Sequence, residues 1–179
     1  MLEYNEPEYA EFIEWIDDIT EWKDGTIKIA GPRNMVDMLQ LVRDYYYHPD
    51  MGGSNSIKKV LPAVMTGDAI KLKYSKPLAF GTHLKGRVLW ELNPESGSPE
   101  SPYHLLPSQY SDLDLSQDEL IFEDAEIQEG GAALIAYAKM QFTDMTDEER
   151  EALRKALLQY CELDTLAMVM IYEHWKTIV

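Results

Sequence analysis

The sequence predicts a helix-rich α/β chain with few short strands, and three observations predict it. Apolar residues recur every three or four positions at both ends of the chain, strand-like runs are brief, and the middle is dominated by Pro, Gly and Ser. At 179 residues the chain fits one domain large enough to bury a core without disulfides or structural metal, so the expectation is a single domain over 1–179.

The elements follow in order. Between Pro7 and Trp22, Phe12, Ile13, Trp15, Ile16 and Ile19 lie among acidic residues with the spacing of one apolar helix face, ending near Asp24-Gly25. Thr26 to Ile29 reads as a short strand. After the Gly31-Pro32 break, Met35, Met38, Leu39 and Val42 mark a second helix within Asn34–Tyr47. Gly52 to Asn55 is a loop, and Ser56 is placed to cap a helix through Ile57, Val60 and Leu61 that Pro62 limits or kinks. From Tyr74 to Glu126 periodicity fades. This stretch reads as a loop-rich insertion whose candidate strands are Arg87–Leu92 and Glu119–Glu123. A helix is expected over Ala132–Phe142. Thr146 and Glu149 then form a capping box for a long segment reaching Trp175, striped by Leu153, Leu157, Tyr160, Ala167, Met168, Ile171 and Trp175.

Composition bounds the function. Sixteen basic against 32 acidic side chains give a net charge of −16, which repels polyanions and counts against a nucleic-acid enzyme unless carboxylates serve a metal or a local basic strip does the binding. No apolar run approaches the roughly 20 residues of a membrane helix. The lone Cys161 has no internal bridge partner and reads as a buried, inert thiol. With the acidic first residues, it predicts a reducing compartment, most simply the cytoplasm. His48, His83, His104 and His174 are scattered without metal-ligand spacing, and no serine elbow, dinucleotide loop or Walker pattern occurs.

One position breaks the C-terminal stripe. Asp164 falls on the apolar face after Leu157 and Tyr160, and a buried carboxylate needs a cation, an arginine or hydrogen-bond donors to hold it. Tyr160 lies one turn earlier on the same face, so the two could hold a metal-bound water between them. Alternatively, Asp164 caps a new helix after a break at Tyr160-Cys161, and Tyr160 is ordinary core. Two further signals carry the same double reading. Ser54, Asn55, Ser56 and Lys58 could receive a phosphate at a helix start, or be turn and cap chemistry. Lys71, Lys73, Lys76, Lys85 and Arg87 make the only basic stretch, as a backbone-contacting strip or a solvated face.

The string Tyr160-Cys161-Glu162-Leu163-Asp164-Thr165 resembles the third motif of the tyrosine-bearing DEDD exonucleases, a helical Tyr-x-x-x-Asp. Further segments resemble a bacterial family of unknown function in the ribonuclease-H-like superfamily. They are Asn34 to Leu39, Tyr45 to Pro49, Gly53 to Lys58, Val60 to Ala63, Pro102-Tyr103-His104-Leu105-Leu106-Pro107, and Gly130 to Ala133 leading to Ala136-Tyr137-Ala138. The likeness covers most of Asn34 to Trp175. It implies a ribonuclease-H-like, exonuclease-type α/β fold and phosphodiester hydrolysis with Mg²⁺ or Mn²⁺. Asp164 and Asp37 would be metal ligands, Tyr160 would orient the attacking water, and single-stranded nucleic acid would be the substrate.

The first and second acidic motifs of that class are expected upstream of Asn34, where the residues read as helix. An internal Asp-x-Glu, Asp124-Ala125-Glu126, sits late in chain order. The expectation is therefore the C-terminal part of a nuclease, inactive alone and completed by a missing N-terminal segment or a protein partner. Its alternative is a non-catalytic acidic binding protein on the same scaffold, such as a DNA-mimicking inhibitor of a nucleic-acid-binding protein.

Overall fold

A computed structural model describes residues 9–107, 137–138 and 140–179. The chain divides into two compact units, a first up to Tyr45 and a second from Tyr46 onward, where the sequence reading expects one domain.

In the first unit, helix α1 (Ala10–Ile19) stops at Thr20, whose extended backbone leads into strand β1 (Glu21–Asp24), antiparallel to β2 (Ile27–Ala30). The helix expected to reach Asp24-Gly25 is thus shorter, and Trp22 lies on a strand opposite Ile29. The physical reason is the turn. Gly25 takes φ +59° at the first of two loop positions, which lets a tight hairpin close and recruits Glu21–Asp24 as its first arm. The chain then folds back on the end of α1 through Gly31 N–H to Thr20 O, Arg33 N–H to Asp18 O and Met35 N–H to Ile19 O. Gly31 is obligatory there, since a Cβ would stand 2.1 Å from the Asp17 carbonyl oxygen. Helix α2 (Met38–Tyr45) completes the unit.

The second unit opens with a 3₁₀ turn (Pro49–Met51) and two glycines at positive φ, Gly52 and Gly53, before helix α3 (Ile57–Val64). Pro62 stands inside α3, and the helix ends two residues later. Ser56 occupies the cap position as expected, but its hydroxyl accepts no capping bond; only its carbonyl does, from Lys59 and Val60 N–H. Helix α4 (Asp68–Tyr74), absent from the sequence reading, follows.

Helix α5 (Asp147–Ile178) is the spine of this unit, 32 residues or about 48 Å long. Both halves of its capping box form: the Glu149 amide donates to Thr146 Oγ1 at 3.2 Å, and the Thr146 amide donates to Glu149 Oε2 at 2.7 Å. Asp147, Glu148 and Glu149 suit the positive end of the helix dipole. Its buried face is Leu153, Ala156, Gln159, Tyr160, Leu163, Leu166, Ala167, Met170 and Ile171, packed on α3 and α4. Met168 was expected in that stripe and is exposed, as is Cys161, which corrects the buried-thiol reading. Ahead of α5, residues 137–138 and 140–142 are helical; the rest of the Ala132–Phe142 expectation lies outside the described residues.

The segment after α4 corrects the insertion reading in part. It has almost no regular structure, yet Leu78, Leu84, Leu89 and Tyr103 are buried. Arg87–Leu92 forms no strand; its one bridge is Leu92 with Pro99, around a turn in which Asn93 accepts from Glu95 and Ser96 amides. Side chains on α5 supply what a ladder would. Glu162 accepts from the Thr82 amide at 2.9 Å and the His83 amide at 2.7 Å, and the buried Gln159 donates to the His83 carbonyl at 3.3 Å. Tyr74 donates to Glu173 and Trp90 Nε1 to the Met65 carbonyl, so these two donors find partners, whereas Tyr46 Oη and Trp175 Nε1 are buried without a hydrogen bond among the described residues. Glu119–Glu123 lies outside the described residues, and among the described residues the β1–β2 hairpin is the one sheet. No described helix is long and apolar enough to cross a membrane.

Candidate functional site

Asp164 sits in mid-helix, since α5 runs unbroken through Tyr160-Cys161. The alternative in which it capped a new helix is therefore excluded, and a carboxylate on a largely buried face needs donors. It receives one from a phenol. Tyr103, 2 % exposed, donates from Oη to Asp164 Oδ1 at 2.5 Å. Tyr160, one helical turn before Asp164 and 5 % exposed, lies close enough for the carboxylate charge to act on its phenol. The two rings lie 5.6 Å apart between centroids and 44° from parallel, the tilted arrangement that ring quadrupoles favour.

Tyr103 reaches this position from a loop held by one neighbouring carboxylate. Glu100 accepts from Asn93 Nδ2 at 2.6 Å and from the Ser101 amide at 3.0 Å, and pairs with His104 Nδ1 at 2.7 Å. These contacts, led by Asn93, hold the Glu100 carboxyl below its ordinary range. The turn that follows, His104 N–H to Ser101 O and Leu105 N–H to Pro102 O, aims Tyr103 inward.

Lys58 completes the group. Its ammonium lies 5.2 Å from the Tyr103 ring centroid and 5.3 Å from that of Tyr160, over both rings at once. The tertiary structure thereby brings together residues from three separate stretches: Lys58 at the start of α3, Tyr103 in the loop, and Tyr160 with Asp164 on α5. Ser54, Asn55 and Ser56 lie just ahead of Lys58, with Ser54 half-buried and the other two exposed. Ser54 accepts from the Ser56 amide through its own Oγ at 3.3 Å, so this loop is partly spent on local turn chemistry.

Burial, reinforced by the Asp164 charge, pushes the Tyr160 phenol up to about 12, and burial followed by the Asp164 hydrogen bond raises Tyr103 further still. Both phenols are therefore protonated near neutral pH, and neither is poised as a base. The site is a carboxylate that accepts from the Tyr103 phenol, with the Tyr160 phenol beside it and a cation over both rings. It is suited to holding a phosphate oxygen or a water, and it has no activated nucleophile.

The structure gives Asp37 a different task from metal ligation. It belongs to the first unit, is exposed, and accepts from the Leu39 amide at 2.9 Å and the Gln40 amide at 3.3 Å, capping α2. Among the described residues no group of three or more His, Cys, Asp and Glu side chains is placed to hold a metal ion. The donor set at Asp164, one carboxylate already accepting from the Tyr103 phenol, does not fit a two-ion centre. Asp124-Ala125-Glu126 lies outside the described residues.

Sequence reasoning missed the role of Tyr103, although the Pro102–Pro107 segment stood out. The available signal was a tyrosine between prolines in a stretch with no apolar period, where a large ring is buried only if something fixes both ring and hydroxyl. No family model, curated protein or solved structure matches this chain.

Proposed function

We propose that this chain is the C-terminal, substrate-gripping part of an exonuclease-like phosphodiesterase of the DEDD type, and that it does not cleave alone. One observation carries the reading. Lys58, expected from its helix start to meet a phosphate, stands over Tyr160 beside Asp164, the pair that resembles the third exonuclease motif. In this reading the Lys58 ammonium contacts the backbone of single-stranded nucleic acid, the Tyr160 hydroxyl orients a water, and Asp164 fixes the Tyr103 phenol. Hydrolysis with Mg²⁺ or Mn²⁺ requires carboxylates beyond Asp164, contributed from outside the described residues.

A second reading is favoured by a different observation: Asp164 already accepts from the Tyr103 phenol, in a chain of net charge −16. On that reading, which needs only the single Tyr103 bond to Asp164, the protein is a non-catalytic acidic binder that displaces DNA from a basic partner.

Fluorescence anisotropy with labelled oligothymidylate separates the two. The first reading expects binding by the full chain that weakens about tenfold in Lys58→Gln, the loss of one phosphate contact and its place over two rings. It also expects no degradation of the oligonucleotide with Mg²⁺ or with EDTA. Equal binding by wild type and Lys58→Gln sinks it. Absence of binding, together with release of DNA from a basic DNA-binding protein on addition of this chain, establishes the second.

A further inference from the structure

The strongest charge anomaly lies outside the Asp164 site. Ala69 to Trp90 contains five of the chain's 16 basic residues and no acidic one, within a protein of net charge −16. The fold presents all five outward: Lys71, Lys73, Lys76, Lys85 and Arg87 are exposed. It also gathers them. Backbone bonds from Leu78 N–H to Arg87 O, Gly86 N–H to Leu78 O and Leu89 N–H to Tyr74 O draw the end of α4 against 84–89. Lys73 is shared between the rings of Tyr74 and Phe80 and an ion pair with Glu173, and Lys71 lies over Trp90. Among the described residues Lys76, Lys85 and Arg87 make no ion pair. Phe80 is 47 % exposed beside these cations, although an apolar ring in an ordinary solvated loop gains nothing by facing water.

We propose that residues 71–87 form a binding strip for single-stranded nucleic acid, with Lys76, Lys85 and Arg87 on the backbone and Phe80 as a base-stacking platform. This deepens the reading of the Asp164 site and rests on it for the ligand's identity. The strip is joined to that site by construction, because the helix that carries Tyr160 and Asp164 grips it. Glu162 takes the Thr82 and His83 amides, Gln159 takes the His83 carbonyl, and Gly81 at φ +97° passes so close to Glu162 that a Cβ would stand 2.3 Å from Oε1. Glu162 thereby spends both oxygens on backbone donors. Cations interleaved with an exposed ring, on a loop clamped to the motif helix, are what a strand-guiding surface requires. An acidic peptide would use the cations and leave Phe80 idle.

Anisotropy with labelled oligothymidylate across a salt series tests this on the full chain. Lys76→Gln/Lys85→Gln/Arg87→Gln should weaken binding at least tenfold at low salt and flatten the salt slope by about 2, from roughly 0.7 per lost single-strand contact. Phe80→Ala should weaken binding about tenfold with the slope unchanged. All four positions are exposed, and circular dichroism melting verifies folding. Wild-type affinity in the triple variant overturns the strip while leaving the Lys58→Gln result to judge the Asp164 site. Polyglutamate competing as well as oligothymidylate at equal charge also overturns it, as does failure of the wild type to bind.

Discussion

At the scale of single residues, the most informative contact is the hydrogen bond from Tyr103 to Asp164. Tyr103→Phe keeps the ring and removes the donor, leaving a half-buried carboxylate short of one partner. The expected cost is about 1–3 kcal/mol in urea unfolding at neutral pH. Alkali should act on the same node. The folded-state values of both phenols are raised above the ordinary value of about 10. Their contribution is thus fully present below about 10 and lost as pH rises, for Tyr160 across the interval up to about 12. The wild type should lose stability over that window, and Tyr103→Phe should lose less of it. Equal alkaline profiles for the two proteins would remove Tyr103 from the account. The sequence disclosed half of this node. Asp164 betrayed itself as an acid in an apolar stripe, and Tyr160 by its spacing. Tyr103 lies 61 positions away, and no local period connects it to either.

At the scale of elements, α5 was legible almost to the residue because its signals are local. A capping box fixes its start, and the apolar face repeats every three or four positions. Thr146→Ala should cost about 1 kcal/mol by releasing the Glu149 amide, measurable by thermal or urea unfolding. The same change at an exposed position without a cap, such as Thr165, should cost less. Elements whose formation depends on a partner were read less well. β1 exists because β2 pairs with it across Gly25, and four residues of a continuing amphipathic pattern gave way to that pairing. The core role of Leu78, Leu84 and Leu89 was invisible for a related reason: their segment is organised by Glu162 and Gln159, about eighty residues further along.

At the scale of the whole molecule, self-repulsion from a net charge of −16 opposes compaction, and ion pairs such as Lys28 with Glu21 and Arg154 with Glu151 are exposed and weak. Raising sodium chloride from about 10 to about 150 mM shortens the Debye length from roughly 30 to roughly 8 Å. The melting temperature should therefore rise by a few degrees in calorimetry; a fall would mean that favourable pairs outweigh the repulsion. By itself the sequence determined the charge, the helix-rich character, the long capped helix and the inward acid, since each is set by composition or by neighbours within a turn or two. Only the tertiary structure decided that Lys58, Tyr103, Tyr160 and Asp164 share one site and that the basic loop is clamped beside it. Hydrogen bonds and ring contacts between residues tens of positions apart depend on how helices pack, and packing leaves no periodic trace in the chain.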